Sequence, residues 1–186
     1  YWLARMASIL CKNVWFVVVQ KPESDFIQLQ KNKPLNCSYL YLSEEDVAEL
    51  TLRSGKKKVQ FTVGINNQKF SPVSKNKAAE LKIKHGFSPN KLLVAHVGHA
   101  SIGRGVEDLT MIDHTVFDAR FVDSGIIENP EQRQQLEESG VTILHGYMEK
   151  IEEVYQMADV YLFPTRSGNY VISVPLSVME ALACGT

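Results

Sequence analysis

The stretch Val141-Thr142-Ile143-Leu144-His145-Gly146-Tyr147, together with the residues from there to Thr186, decides the fold. Val141–Leu144 reads as an apolar strand closed by His145-Gly146-Tyr147, and an acidic amphipathic helix comes next over Met148–Met157. A second strand, Asp159–Phe163, stops at Pro164. The polar loop Thr165–Asn169 then leads to a helix carrying Glu180-Ala181-Leu182-Ala183-Cys184-Gly185-Thr186. Open parallel sheets build their ligand clefts from runs of this kind, with polar groups gathered after the strands.

Upstream the same alternation continues. Strands are expected at Leu92–Val97 and Val116–Val122, with helices near Arg104–Ile112, at Pro130–Ser139 and at Pro175–Ala183. Strict strand–helix alternation predicts an α/β fold, a Rossmann-like parallel sheet with helices on both faces. Nearer the start, apolar spacing predicts a helix over Tyr1–Lys12, and the β-branched run Val14–Val19 predicts a buried strand. Lys21–Asn36, polar and containing Pro22 and Pro34, reads as loop or short irregular structure. Tyr39–Leu42 and Val59–Val63 read as strands; Ser43 caps a helix running to about Arg53, and Ser74 caps one over Asn76–His85. The boundary is placed around Phe70–Ser74, which divides the chain into residues 1–70 and 71–186.

Bulk properties narrow the class. With 45% hydrophobic and 22% charged residues, the chain has the composition of a globular protein with a sizeable core. The longest apolar run, Val14–Val19, is far short of the roughly 20 residues of a membrane-spanning helix. Tyr1-Trp2-Leu3-Ala4-Arg5 lacks the features of a signal peptide, so a cytoplasmic location is expected. Cys11, Cys37 and Cys184 are widely spaced and read as free thiols, and no Cys or His spacing suits a metal. A chain opening on Tyr1 and closing on Thr186 reads as a fragment.

The net charge of −1 hides a polarity. Tyr1–Lys91 holds 15 Lys and Arg against 7 Asp and Glu, whereas Leu92–Thr186 holds 5 against 14. Such a division suits either a peripheral contact with anionic membrane or simply solvated turns and helix surfaces. Nothing in it points to nucleic acid.

Two places can carry chemistry. In Val97-Gly98-His99-Ala100-Ser101-Ile102-Gly103-Arg104-Gly105, a glycine at a strand end admits a ligand close to the backbone. A helix starting there offers free N–H groups to a phosphate, with Arg104 as a charge-assisted donor and His99 as a second one. The alternative makes His99 a turn residue and Arg104 a surface charge. The second place is Glu180, set between Val178-Met179 and Ala181-Leu182-Ala183. It reads either as a carboxylate accepting from two ribose hydroxyls or as an ordinary helix-surface acid. Gly146-Tyr147 lines the same cleft, Tyr147 covering a flat base or packing on the sheet rim. His96 and His145, at apolar strands, read as structural.

Taken together, these segments resemble the retaining glycosyltransferases of family 4, with their two-domain GT-B fold. Phe61-Thr62-Val63-Gly64-Ile65-Asn66-Asn67-Gln68-Lys69-Phe70-Ser71-Pro72 is similar to the family's Asn-Gly-Val-Asp…Phe-x-Pro motif at the start of its C-terminal domain. Val97-Gly98-His99 through Arg104-Gly105 is similar to its phosphate loop, and Val154-Tyr155 through Ala158-Asp159 to Pro164-Thr165 resembles its Tyr…Ala-Asp…Pro-Ser strand. Glu180 to Thr186 resembles its Glu-Ala-Met-Ala-Cys-Gly-Thr helix. Residues 1–70 then correspond to the tail of the acceptor-side domain, and 71–186 to a truncated nucleotide-sugar-binding domain.

The resemblance implies a hexosyltransferase-type enzyme that moves a sugar from a UDP- or GDP-linked donor to a glycan or lipid-linked acceptor. Retention of anomeric configuration by front-face displacement, and no metal or other cofactor, are also implied. Glu180 would hold the ribose, and His99 and Arg104 the diphosphate beside Gly98 and Gly105. Gly146 and Tyr147 would lie by the base, and Ile172–Leu176, including Ser173, Val174 and Leu176, would offer backbone N–H groups to sugar and phosphate. No catalytic residue is assigned.

The departures are specific. His99 replaces an Arg, and Val63 and Asn66 replace Asn and Asp. The family's first glutamate falls on Ile172, beside Ser173, and no carboxylate lies between Asp159 and Glu180. Either Ser173 takes part in a rebuilt site, or the site has lost activity. The rival readings are a non-catalytic nucleotide-sugar-binding or assembly subunit and a GT-B sugar-nucleotide epimerase. The 186-residue chain alone is expected to be inactive.

Overall fold

The computed structural model describes residues 1–100, 103–123, 125, 130–166 and 171–186. By its internal contacts the chain divides into two units, Tyr1–Gly64 with Val171–Val174 and Ile65–Tyr170 with Pro175–Thr186. The division thus falls at Gly64/Ile65, upstream of the Phe70–Ser74 boundary expected from sequence. A four-residue return to the first unit also interrupts the second.

The first unit is a three-stranded parallel sheet, β1 (Trp15–Val18), β2 (Ser38–Tyr41) and β3 (Lys58–Gln60), in that spatial order. Helix α1 (Trp2–Leu10) precedes it, and α2 (Ser24–Asn32) and α3 (Glu44–Val47) connect its strands. Three expectations are corrected here. Lys21–Asn36 is not irregular. Pro22 and Pro34 bracket α2 rather than break it, and Ile27 and Gln30, three apart, bury one face. Strand β1 is not buried, because it pairs on one side only and leaves Trp15 and Val17 exposed. Helix α3 has the expected Ser43 cap, in a reciprocal box with Asp46, but ends at Val47 rather than Arg53. Beyond it the ladder is diverted: the Val47 carbonyl accepts from Lys58 Nζ, and the Thr51 N–H donates to Gln30 Oε1.

The second unit is a four-stranded parallel sheet in the order β6-β5-β4-β7. Its strands are β4 (Leu92–Gly98), β5 (Phe117–Asp123), β6 (Thr142–His145) and β7 (Val160–Tyr161). Alternation along β4 sends side chains to two different layers. Leu93, Ala95 and Val97 join Leu81 of α4 (Lys75–Lys84), Val154 and Met157 of α6 (Glu152–Met157), and Ala181 of α7 (Leu176–Cys184). Val94, with Ala119 and Phe121 of β5, faces Leu109 of the 3-10 helix Val106–Met111 and Leu136 of α5 (Pro130–Glu138). The result is the expected sheet covered on both faces.

Edge strand β7 is pinned by Asp159, whose carboxylate accepts from buried Lys82 at 2.5 Å and from the Leu93 N–H at 2.7 Å. Helix α4 starts as expected, with Ser74 Oγ accepting from the Lys77 N–H. The connection after β4 is corrected: an α-helix from Arg104 is expected, but a six-residue 3-10 helix is found, starting after left-handed Gly105. Glu107 and Asp108 fill its first turn, so it does not supply the anion-binding helix end foreseen from sequence.

Candidate functional site

Strands β4, β5 and β6 follow one another on one side of β4, and the chain then crosses to place β7 on the other. The strand order therefore reverses between β4 and β7, and ligands of open α/β sheets bind outside the strand carboxyl ends at such a reversal. The loops after β4 and β7 meet there. A Cβ on Gly105 would lie 2.3 Å from the Pro164 carbonyl oxygen, which is why a glycine is needed. The Arg166 N–H donates to the Gly103 carbonyl at 3.0 Å, and its guanidinium pairs with Glu107 and Asp108.

Gly98 ends β4. A Cβ there would come within 3.1 Å of His96 Nε2 and 3.6 Å of Arg104 Nη1, so the missing side chain is what lets these groups approach the backbone. Arg104 has no carboxylate partner among the described residues, and its Nε is buried without an acceptor. Burial lowers its pKa from the ordinary value. A desolvated, unpaired guanidinium beside an open backbone glycine has charge-assisted donors available to an anion.

Fully buried His96 donates from Nδ1 to the Leu162 carbonyl at 2.8 Å, stacks on Tyr161, and leaves Nε2 without a donor. Burial chiefly, opposed by the Leu162 carbonyl and aided by the Arg104 charge, pushes its pKa down to about 4. His96 is therefore neutral at pH 7, with Nε2 as an acceptor.

Glu180 is half-buried on α7 and accepts a hydrogen bond from Tyr155 Oη at 2.9 Å. Burial raises its pKa, while the Tyr155 bond and Lys69 oppose the shift. It is thus a partly desolvated carboxylate held by a tyrosine, unlike a freely solvated surface acid.

The sequence-predicted residues are not all brought together. Gly98, His99, Arg104, Gly105, Gly146, Tyr147, Leu176 and Glu180 belong to the second unit, Ser173 and Val174 to the first. Ser173 is already engaged there, its N–H donating to the Val19 carbonyl and its hydroxyl to Asp46 Oδ1 at 2.6 Å. Leu176 opens α7 and is exposed. Tyr147 is 94% exposed and packs on no part of the sheet rim. His99 is exposed, its ring so close to Gly125 that a Cβ there would sit 2.1 Å from Nδ1. Ser101, Ile102 and Asn169, which belong to the loops discussed from sequence, lie outside the described residues. A cavity of about 520 Å³ in the first unit, lined by Phe16, Val18, Phe26 and Tyr39, contains none of the predicted residues.

One pair escaped the sequence reading. Asp123 is fully buried and accepts from His145 Nδ1 at 2.6 Å and from the Gly125 N–H at 3.1 Å. Its carbonyl accepts from the Gly146 N–H, which sits at φ +99°. The signal for it was an ionisable residue closing each of two apolar strands just ahead of a glycine, Asp123-Ser124-Gly125 and His145-Gly146. Among the described residues no three His, Cys, Asp or Glu side chains converge as a metal would require. No helix among them is long and apolar enough to cross a membrane.

Comparison with known proteins bears on the fold and on the later part of the chain. The model of the family described as glycosyl transferases group 1 matches residues 105–186, which carry Gly105, Gly146, Tyr147 and Glu180. The fold resembles that of WaaG, a glycosyltransferase involved in lipopolysaccharide biosynthesis, with a TM-score of 0.69 at 14% identity over 92% of this chain and 54% of that one. It also resembles a glycosyltransferase from Rickettsia africae ESF-5, with a TM-score of 0.67 at 16% identity over 92% of this chain and 49% of that one. The parallel α/β architecture is thus that of GT-B glycosyltransferases, and the chain spans about half the length of these two structures. No curated protein matches the sequence.

Proposed function

We propose that this chain carries the nucleotide-sugar side of a glycosyltransferase, which moves a sugar from a nucleoside-diphosphate donor to a glycan or lipid-linked acceptor. The observation that carries the reading is the unpaired guanidinium of Arg104 beside Gly98, where the β4 and β7 loops meet. Negative charge grows on the diphosphate as the glycosidic bond breaks, and a desolvated cation there stabilises that charge more than it stabilises bound substrate. Glu180, its other face held by Tyr155, accepts from the ribose hydroxyls. Retention of configuration and a hexosyl donor complete the reading, on the strength of the resemblance alone.

The test is calorimetric titration of UDP and GDP into the wild type and into Arg104→Ala and Glu180→Ala. Each substitution removes charge-assisted hydrogen bonds and is expected to weaken binding of the accepted nucleotide about ten-fold or more. Unchanged affinity in both variants would refute the assignment. A second reading, a nucleotide-sugar-binding subunit without turnover, is favoured by two observations. No carboxylate lies between Asp159 and Glu180, and Ser173 is tied to Asp46. Sugar transfer or donor hydrolysis by the complete protein excludes that reading.

A further inference from the structure

Gly98, Asp123 and His145, the last residues of β4, β5 and β6, pair in register across the carboxyl rim of the second sheet. Asp123 is fully buried, yet His145 beside it keeps a side chain about 48% exposed. A carboxylate can only accept, so His145 Nδ1 carries the hydrogen that Asp123 receives, and in the neutral ring Nε2 is then the acceptor. The pair is not needed to hold the rim turn, because the Gly146 N–H already bonds the Asp123 carbonyl at 3.0 Å. It does fix the tautomer and orientation of an imidazole at the mouth of the strands. The other carboxylate oxygen is taken by the Gly125 N–H, and the His99 ring lies against that same glycine.

We infer that His145, oriented by Asp123, reads the base of a nucleotide whose phosphates lie against Gly98 and Arg104. This rests on the nucleotide-sugar reading above. Two strand spacings, about 10 Å, separate the Gly98 and His145 positions along the rim, the span of a nucleotide from phosphorus to base. A fixed acceptor there suits a base with a ring N–H on its polar edge, as uracil and guanine have and cytosine and adenine lack. A base without a matching N–H would cover that half-exposed nitrogen and leave it unpaired, which is how such a contact discriminates between bases. His145 is thus a specificity residue and Asp123 a positioning residue.

The experiment titrates UDP, GDP, CDP and inorganic pyrophosphate into the wild-type chain and into His145→Ala, His145→Gln, Asp123→Asn and Arg104→Ala. His145→Ala is expected to weaken the preferred nucleotide at least ten-fold and to flatten the preference among bases, with pyrophosphate affinity unchanged. Asp123→Asn should give the same pattern with a smaller loss, and imidazole nitrogen NMR should show its His145 moving from the Nδ1–H form to a mixture of tautomers. Because His145 is half-exposed, its variants keep the test open even if Asp123→Asn unfolds. Loss of nucleotide binding in Arg104→Ala but not in His145→Ala overturns this inference and leaves the nucleotide-sugar reading standing. Equal loss of pyrophosphate binding in His145→Ala also overturns it, since the dyad would then serve phosphate. Absence of any nucleotide binding by the wild type overturns both.

Discussion

The two parallel sheets treat buried polar groups in opposite ways. In the first unit they close on one another. Gln30 donates to Tyr39 Oη and accepts from the Thr51 N–H, while Asp46 accepts from the Ser43 N–H and from Ser173. Among the described residues, no buried side-chain nitrogen or oxygen of that unit is without a partner. In the second unit His96 Nε2, Arg104 Nε and Thr165 Oγ1 are buried without a hydrogen-bond partner on or just beyond the two strands that flank the reversal of strand order, and His114 Nε2, Arg120 Nε and Glu152 Oε2 are so elsewhere in the unit. Each such atom costs about 1–3 kcal/mol. A closed network serves the stability of the unit that holds it, whereas an open one gives up stability and leaves donors and acceptors available.

The largest effect is expected where the open rim is held together. Gly105→Ala places a Cβ against the Pro164 carbonyl at a backbone φ of +68°, combining a steric clash with left-handed strain. Together these should destabilise the second unit by about 3–4 kcal/mol in urea unfolding. Loss below about 1 kcal/mol would mean that the two loops are not tied there. Next comes the closed network. Gln30→Leu strands the Tyr39 hydroxyl and the Thr51 N–H, and should cost about 2 kcal/mol by the same measurement.

The smallest effect is a near cancellation. His96→Phe keeps a ring among Phe121, Tyr161 and Phe163 and removes an unpaired nitrogen, but it also takes away the donor to the Leu162 carbonyl, so the net change near pH 7 should stay within about 1 kcal/mol. The pH dependence comes from the depressed pKa. With a value of about 4 folded against 6.5 unfolded, the unfolded chain binds the proton first. The stability associated with neutral His96 is full above pH 6.5 and falls as pH drops toward 4, at up to ~1.4 kcal/mol per pH unit. His96→Phe should remove that slope. Retention of it would place the titration elsewhere and weaken the contrast between the units.

Much of this architecture is legible in the residues alone. The strand–helix alternation from Leu92 onward, the caps at Ser43 and Ser74 and the glycine after α4 are local features, and each appears where the residues place it. What the pattern misread were segments whose outcome depends on distant partners. Helix α2 needs the face of β2 to bury Ile27 and Gln30, and α3 stops short because Lys58 and Gln30 take groups that would have continued it. The family motifs marked Gly98, Arg104 and Glu180, but showed neither the unpaired state of the guanidinium nor the tyrosine on the carboxylate.

By itself the sequence determined the class of fold, through hydrophobic period and turn chemistry that act over a few residues. It also determined which glycines and charged groups stand at the ends of the later strands. The tertiary structure alone decided that β7 crosses to the far side of β4, and so where the strand order reverses. It alone tied Ser173 to Asp46 within the first unit and coupled Asp123 to His145 across 22 residues. Strand register and burial create those relations, and both are properties of the assembled sheet that no local stretch of residues contains.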